Sequence, residues 1–380
     1  MLAIVSLSVL LHALIAWRLM PALAGFAGVQ AGLGAMLVLT ALAMPLGLAG
    51  RRLHMPRLAT VLTWAGLLSL GLFSSLLVLT LLREAVLLAS LLAAWVAPAA
   101  VALDTVARWT ALAVPVLGVF ASFWGFANAR RTAAVVTVEV PIAALPQALH
   151  GFTIAQISDI HIGATIRRPY LRAIVEAVTR LGAAMVAVTG DLVDGSVRDL
   201  AHHVAPLAGL ESTHGTFFVT GNHEYYSGAP AWIAELRRLG VTVLLNEHVV
   251  LAQPHSEIVI AGVTDFSAGH FDAAHRSDPH AAIAGAPAGS TVRVLLAHQP
   301  RSAPEAQKAG FHLQLSGHTH GGQFMPWNLF VRLQQPFTAG LHRLLGLWVY
   351  TSRGTGYWGP PKRFGAPSKI TRLRLVPAPG

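Results

Sequence analysis

Leu315–Gln323 reads LSGHTHGGQ: a short apolar lead-in, then two histidines one residue apart, set among three glycines. In an extended strand end, residues two apart point to the same face, so His318 and His320 are expected to face one way. Gly317, Gly321 and Gly322 let the backbone bend sharply around them. Paired imidazoles on a glycine corner are a metal-ligand pattern, and the pattern predicts further ligands at the ends of other strands.

Such ends recur upstream. FTIAQISDIH (152–161), AAMVAVTGDLVDG (183–195), GTFFVTGNHEYY (215–226), VTVLLNEHVVL (241–251), EIVIAGVTDF (257–266) and TVRVLLAHQP (291–300) each put an apolar run before a polar or glycine-containing tip. Amphipathic pieces lie between several of them, such as RPYLRAIVEAVTRLG (168–182) and APAWIAELRRLG (229–240). Strand, tip and helix in repetition predict an α/β domain whose functional groups gather at the carboxyl ends of strands. The tips bring forward Asp159, His161, Asp191, Asn222, His223, His298, His318 and His320. A carboxylate can bridge two cations, and Asp191 is placed to do so. Two ions roughly 3.5–4 Å apart clamp a phosphoryl group and lower the pKa of water. With no thiolate available, the mixture of imidazole, carboxylate and amide suits Mn, Fe or Zn better than Mg or Ca.

Working outward to the whole chain, 380 residues allow two domains. A hydrophobic fraction of 54% against 12% charged residues is too apolar for a wholly soluble protein, and the excess lies before about residue 130. Four stretches approach the ~20 residues of a bilayer crossing: about Leu2–Ala16, Phe26–Leu48, Ala59–Leu82 and Trp109–Ala127. A further apolar run, Glu84–Leu103, is separated from the third only by Arg83 and Glu84 and is expected to be interfacial or re-entrant. No Lys or Arg precedes the first run, so it is expected to be a retained helix rather than a cleaved signal. With four spans, Arg51, Arg52 and Arg57 share a side with Arg130 and Arg131, opposite Arg18, Arg83 and Arg108, which predicts that both termini and the soluble domain face the cytoplasm. The expected division is a membrane domain over 1–130, a linker over 131–149 and the catalytic domain over 150–376.

The net charge of +10 reads as topology signal and attraction to anionic lipid, since no basic run is interleaved with aromatics. No nucleic-acid partner is expected. Absence of cysteine excludes a disulfide framework and a cysteine nucleophile.

The blocks DIH, GDLVD, GNHE, AHQP and GHTH stand in the order of the five motifs of the calcineurin-like metallophosphoesterases, and the whole resembles their membrane-associated, YkuE-like bacterial branch. The resemblance covers roughly Phe152–Leu375. It implies a four-layer α/β/β/α sandwich following the helical transmembrane region, and two divalent metals. One metal would be held by Asp159, His161, Asp191 and His320, the other by Asp191, Asn222, His298 and His318. It implies that His223 stabilises charge on the phosphate or protonates the leaving oxygen, and that water activated by the metals is the nucleophile. The tail departs from the branch: Ser368 and Lys369 stand where a proline-and-acid pair is expected, which weakens any transfer of substrate preference through Arg353, Tyr357 or Arg363. Asp194 reads equally as a supporting residue or a turn residue, as does Asp265, while Glu224 is expected to support His223 or the local backbone. The function that follows is hydrolysis of a phosphodiester or pyrophosphate, with a lipid-linked substrate such as a phospholipid or UDP-diacylglucosamine. The alternatives are a phosphodiesterase for soluble nucleotides and a catalytically inactive membrane sensor.

Overall fold

The computed structural model describes residues 2–50, 55–287 and 292–379. Its first part is four apolar helices, α1 (Leu2–Leu19), α2 (Ala27–Gly50), α3 (Pro56–Val96) and α4 (Leu103–Arg130). Among the described residues, three helices are long and apolar enough to cross a membrane, Ala27–Gly47, Arg57–Val96 and Leu103–Arg130, and α1 is shorter. A bilayer core has no water to satisfy backbone N–H and C=O groups, which is why such composition forms helices that close every bond internally.

The third apolar run and the run after it are one helix, not a span followed by a re-entrant segment. At 41 residues, α3 is about 60 Å long, roughly twice the hydrocarbon thickness. Arg83 and Glu84 do not break it because their charges are satisfied from neighbouring helices. Glu84 pairs with Arg18 of α1, while the Arg83 guanidinium donates to Glu84 at 2.7 Å and to the Ala107 carbonyl of α4 at 3.2 Å. Where α2 crosses α3, a Cβ on either Gly47 or Gly66 would come within 2.6 Å of the other's Cα, so the helices meet backbone to backbone. Arg51 and Arg52, on which the topology expectation leans, lie outside the described residues.

The chain divides into two compact units, and the helical one includes Gly359–Phe364 as well as the N-terminal helices. In that unit the Lys362 ammonium donates to the Gly71 carbonyl at 2.8 Å, and the Arg363 N–H to the Gly125 carbonyl at 2.8 Å. The glycine-rich tail is therefore shared between units, where the sequence predicts one continuous catalytic segment.

The other unit is built on two six-stranded sheets. One holds β1 (Ala134–Ile142), β2 (Thr153–Ile157), β3 (Met185–Thr189), β4 (Thr216–Val219), β5 (Thr242–Val243) and β12 (Lys369–Pro377), in the order β1-β12-β2-β3-β4-β5. The second holds β6 (Glu247–Gln253), β7 (Ser256–Gly262), β8 (Val292–Leu296), β9 (Leu313–Ser316), β10 (Gly340–Leu344) and β11 (Leu347–Thr351), in the order β10-β11-β9-β8-β7-β6. β2, β3 and β4 run parallel, as do β7, β8 and β9, while β12 is antiparallel to β2. The stretch 131–149, expected as a linker, carries β1, which pairs with β12 along all nine of its residues.

Alternation along the strands creates the layers. Ile154, Met185 and Ala187 of the first sheet pack against Ile260, Val294 and Leu315 of the second. Their neighbours Ala155, Val186 and Val188 face α5 (Arg168–Thr179), α6 (Val197–Val204) and α8 (Ala229–Arg238), the last following the short α7 (Asn222–Ser227), through Leu171, Leu200 and Trp232. Across the second sheet, Ala261 and Leu295 meet Ala282 of α9 (Pro279–Ile283) and Ala303 of α10 (Ala303–Lys308). The result is helix, sheet, sheet, helix. Strands buried on both faces read as continuous apolar runs, and all five residues of β3 are buried.

Candidate metal centre

The parallel strands β2, β3, β4, β8 and β9 all end at the loops that carry the predicted ligands. Their two-residue spacing does not work by strand alternation, however. Asp159, His161, Asp191, His318 and His320 all have left-handed backbone, with φ of 54°, 57°, 53°, 68° and 50°. Non-glycine residues in that region cost on the order of 1–2 kcal/mol each and persist only where surrounding bonds fix them. Those bonds are present: the Asp159 N–H donates to the Gly190 carbonyl at 3.0 Å, the His161 N–H to the Asp191 carbonyl at 3.1 Å, and the Gly317 N–H to the His298 carbonyl at 2.9 Å. Gly317 is required by contact, since a Cβ there would collide with Ser158 Oγ and the Asp159 carboxylate.

Two groups of ligand atoms result, each within 4.8 Å: Asp159, His161 and His320, and Asp191, His298 and His318. Within and beside these groups the ligand atoms lie close together. His161 Nε2 and His320 Nε2 lie 3.0 Å apart, and His298 Nε2 lies 3.2 Å from both Asp191 Oδ2 and His318 Nδ1. The opposite nitrogen of His298, Nδ1, donates to the Thr189 carbonyl at 2.7 Å, which leaves Nε2, beside the Asp191 carboxylate, as the nitrogen that would bind a cation once it has lost its proton. Asp159 Oδ2 and Asn222 Oδ1 are buried acceptors with no hydrogen-bond partner. Converging lone pairs and orphaned acceptors fit divalent cations.

Ionisation follows the same logic. Burial by itself raises Asp191, but the adjoining His298 imidazole, with His161 and His223, outweighs it and holds the carboxyl well below its usual range. Against burial, Asp191 and Asp159 hold His298 well above the ordinary imidazole value. His318 is pushed down to about 3 by burial and by the charge of His298.

A third group joins His161, Asp194 and His223. Asp194 Oδ1 accepts from Nδ1 of His161 at 3.3 Å and from Nδ1 of His223 at 2.5 Å. Orienting an imidazole through its far nitrogen leaves Nε2 of His161 free for a metal, so Asp194 does more than shape its turn. Glu224, fully buried, accepts the backbone N–H groups of Asp191, Leu192, Val193 and Gly221 at 2.9, 2.8, 3.3 and 2.6 Å. It fixes the two loops that carry Asp191, Asn222 and His223, while burial and Asp191 push its carboxyl up to about 7. Asp265 stays out of these groups: it accepts from Ser267 N–H at 2.8 Å and from Gln299 Nε2 at 3.0 Å, beside His298 in sequence. Of the residues weighed for substrate preference, Tyr357 is buried in the core of the α/β unit.

Two aromatics escaped sequence reading. The rings of Tyr226 and Trp358 lie 5.2 and 5.6 Å from that of His223, and both are exposed. Tyr226 is the second residue after the GNHE block and was within reach of a motif-based search; Trp358, 135 positions from His223 in the chain, carried no such signal.

A two-sheet sandwich with histidines, aspartates and an asparagine at its strand ends defines a class of metal-dependent hydrolase. A family model described as calcineurin-like phosphoesterase matches residues 152–322. A Bos taurus protein, described as a transmembrane protein with metallophosphoesterase domain, is 42% identical over 282 residues, covering 71% of this chain and 63% of that protein. An uncharacterized metallophosphoesterase of Campylobacter jejuni is 36% identical over 266 residues, covering 70% of this chain and 69% of its own length. The uncharacterized metallophosphoesterase YkuE of Bacillus subtilis is 27% identical over 263 residues, covering 66% and 89%. The chain belongs to the calcineurin-like metallophosphoesterases, spans about 63% of the length of the Bos taurus relative, and carries three helices long and apolar enough to cross a membrane.

Proposed function

We propose that this chain is a membrane-anchored phosphoesterase that uses two divalent cations to hydrolyse a phosphodiester or pyrophosphate bond in a lipid-linked substrate. The observation that supports two cations is the pair of converging ligand groups with orphaned acceptors at Asp159 and Asn222. One cation would sit among Asp159, His161, Asp191 and His320, and the other among Asp191, Asn222, His298 and His318, with Asp191 shared. Mn, Fe and Zn suit these donors. When bound, such ions supply Lewis acidity at the phosphoryl oxygens and a water acidic enough to attack at neutral pH.

The protein's own residues do the positioning. Asp194 holds His161 and His223 together, their ring centres 4.6 Å apart. His223 is thereby the imidazole set beside the ligand groups to stabilise charge on the phosphate or protonate the leaving oxygen. Glu224 keeps the Asp191 and Asn222 loops in register, and the rings of Tyr226 and Trp358 flank His223.

The lipid-linked substrate rests on the membrane part and on tether length. Helix α4 ends at Arg130 and β1 begins at Ala134, so three residues, about 10 Å of extended chain, join an apolar helix to the catalytic sheet. A phospholipid or UDP-diacylglucosamine is the corresponding substrate class, and the arginine distribution favours a catalytic domain on the cytoplasmic side of a bacterial inner membrane. The test compares metal-dependent hydrolysis by the full chain in proteoliposomes on bilayer-embedded phospholipid or UDP-diacylglucosamine and on lipid-free nucleotide diesters. Preference for a lipid substrate by at least tenfold is expected; equal rates would favour a soluble nucleotide phosphodiesterase.

A further inference from the structure

Residues 324–333, FMPWNLFVRL, form a loop with both ends fixed beside the ligand groups. At the first end, Gln323 is buried; its side chain donates to the Trp358 carbonyl at 2.8 Å and accepts from the Trp358 N–H at 2.9 Å. At the second, Gln335 is buried, and its Nε2 donates to Gln299 Oε1 at 3.1 Å, next to His298. Arg301 reinforces this end, its N–H donating to Gln335 Oε1 at 3.3 Å and its guanidinium to the Gln334 carbonyl at 2.5 Å. One end thus continues from His320 and the other is bonded to the residue following His298.

Between these ends the loop turns its apolar side chains outward. Met325 is 57% exposed, Trp327 43%, Leu329 68%, Phe330 53% and Leu333 80%. Two short 3-10 turns, Trp327–Leu329 and Val331–Leu333, order the segment, and the Trp327 and Phe330 rings lie 5.9 Å apart. Five large apolar groups on one ten-residue surface loop form a patch that calls for a partner.

We propose that this loop inserts into the interfacial layer of a lipid bilayer and holds the catalytic centre at headgroup level. Trp, Phe and Leu with an exposed arginine, Arg332, are the composition of segments that lie in a membrane interface. The surrounding sequence carries the matching charge: from residue 306 to residue 380 there are nine Lys or Arg and no Asp or Glu, and Lys308, Arg332, Arg343 and Arg374 among them are exposed. An anionic lipid surface attracts such a segment, by about 1 kcal/mol per basic residue at the surface. Three of the chain's own helices are long and apolar enough to cross a membrane, so a bilayer is part of the protein's surroundings. The proposal goes beyond the lipid-linked substrate and does not require it.

The chain has no cysteine, so single labels can be placed without background. Leu329→Cys and Leu333→Cys, each carrying an environment-sensitive NBD fluorophore, are compared with Arg172→Cys on the exposed side of α5, in full-length protein reconstituted into phosphatidylcholine–phosphatidylglycerol vesicles. Phe330→Cys replaces Leu329→Cys if that variant does not fold. Blue-shifted emission at the loop sites is expected, with several-fold stronger quenching by lipid-borne nitroxide than by aqueous iodide, and the reverse at residue 172. Iodide quenching of the loop sites equal to that of residue 172 would overturn the proposal. Shielding that rises with protein density, independent of lipid-borne quencher, would also overturn it by assigning the loop to a second copy. The probes report lipid contact without turnover. Insertion in a protein inactive on lipids would therefore uphold this proposal while removing the lipid-linked substrate.

Discussion

In α3, 41 residues include a single charged pair in the helix interior, and most positions need only an apolar side chain; in the loops after β2, β3, β4, β8 and β9, side chains such as His161, Asp194, Glu224 and His298 each have specific partners. Replacing one leucine by another apolar group leaves a lipid-facing helix much as it was, because its bonds are backbone bonds closed within the helix. Replacing a strand-end residue removes a specific donor or acceptor from a buried cluster where the alternatives are few. Tolerance in this molecule thus follows from where hydrogen bonds are satisfied, and not from burial alone.

His298→Ala is the strongest way to sharpen that contrast. It removes a proposed ligand whose Nδ1 anchor to Thr189 fixes its direction, and hydrolysis of bis-p-nitrophenyl phosphate by the full chain in detergent should fall by more than the roughly 100-fold that losing an outer partner costs. Asp194→Asn keeps the shape and removes the charge that orients two imidazoles, so a loss of about 10- to 100-fold in kcat or metal affinity is expected from titration of the apo protein with Mn. Glu224→Gln sets an NH2 group against backbone N–H groups, and should lower stability by about 1–3 kcal/mol in urea unfolding of the metal-free protein. The helices supply the smallest effects and the point where the contrast can break. Leu39→Ala, at a position 66% exposed, should change the thermal midpoint in detergent by less than about 0.5 kcal/mol in equivalent terms, whereas Gly66→Leu, which meets the backbone of Gly47, should cost about 1–3 kcal/mol. Equal effects at 39 and 66 would show that backbone contact does not set identity in the helices either.

What the sequence disclosed follows the same line. The α/β architecture was legible because apolar runs ending in polar tips recur; at those ends the structure gathers Asp159, His161 and His320, and Asp191, His298 and His318, with Asp194 joining His161 and His223. The means of assembly was not legible: Asp159 and His161 converge through left-handed backbone fixed by Gly190 and Asp191, which no side-chain periodicity records. Pairing between distant segments was hidden for the same reason. β1 lay in an expected linker because its partner β12 begins 235 positions later. Gly359–Phe364 looked continuous with its neighbours, although its hydrogen bonds go to Gly71 and Gly125. In α3 the adjacent charges Arg83 and Glu84 read as a boundary between a span and an interfacial or re-entrant run, and the partners on α1 and α4 show why one helix keeps them.

The most direct test is the metal content of the full-length protein after saturation with Mn or Zn and removal of free ion, measured by elemental analysis beside Asp191→Asn. Two ions per chain in the wild type are expected, falling to one or none in the variant because Asp191 is shared. Folded wild-type protein that retains no divalent ion, or an unchanged count in Asp191→Asn, would contradict the two-metal centre.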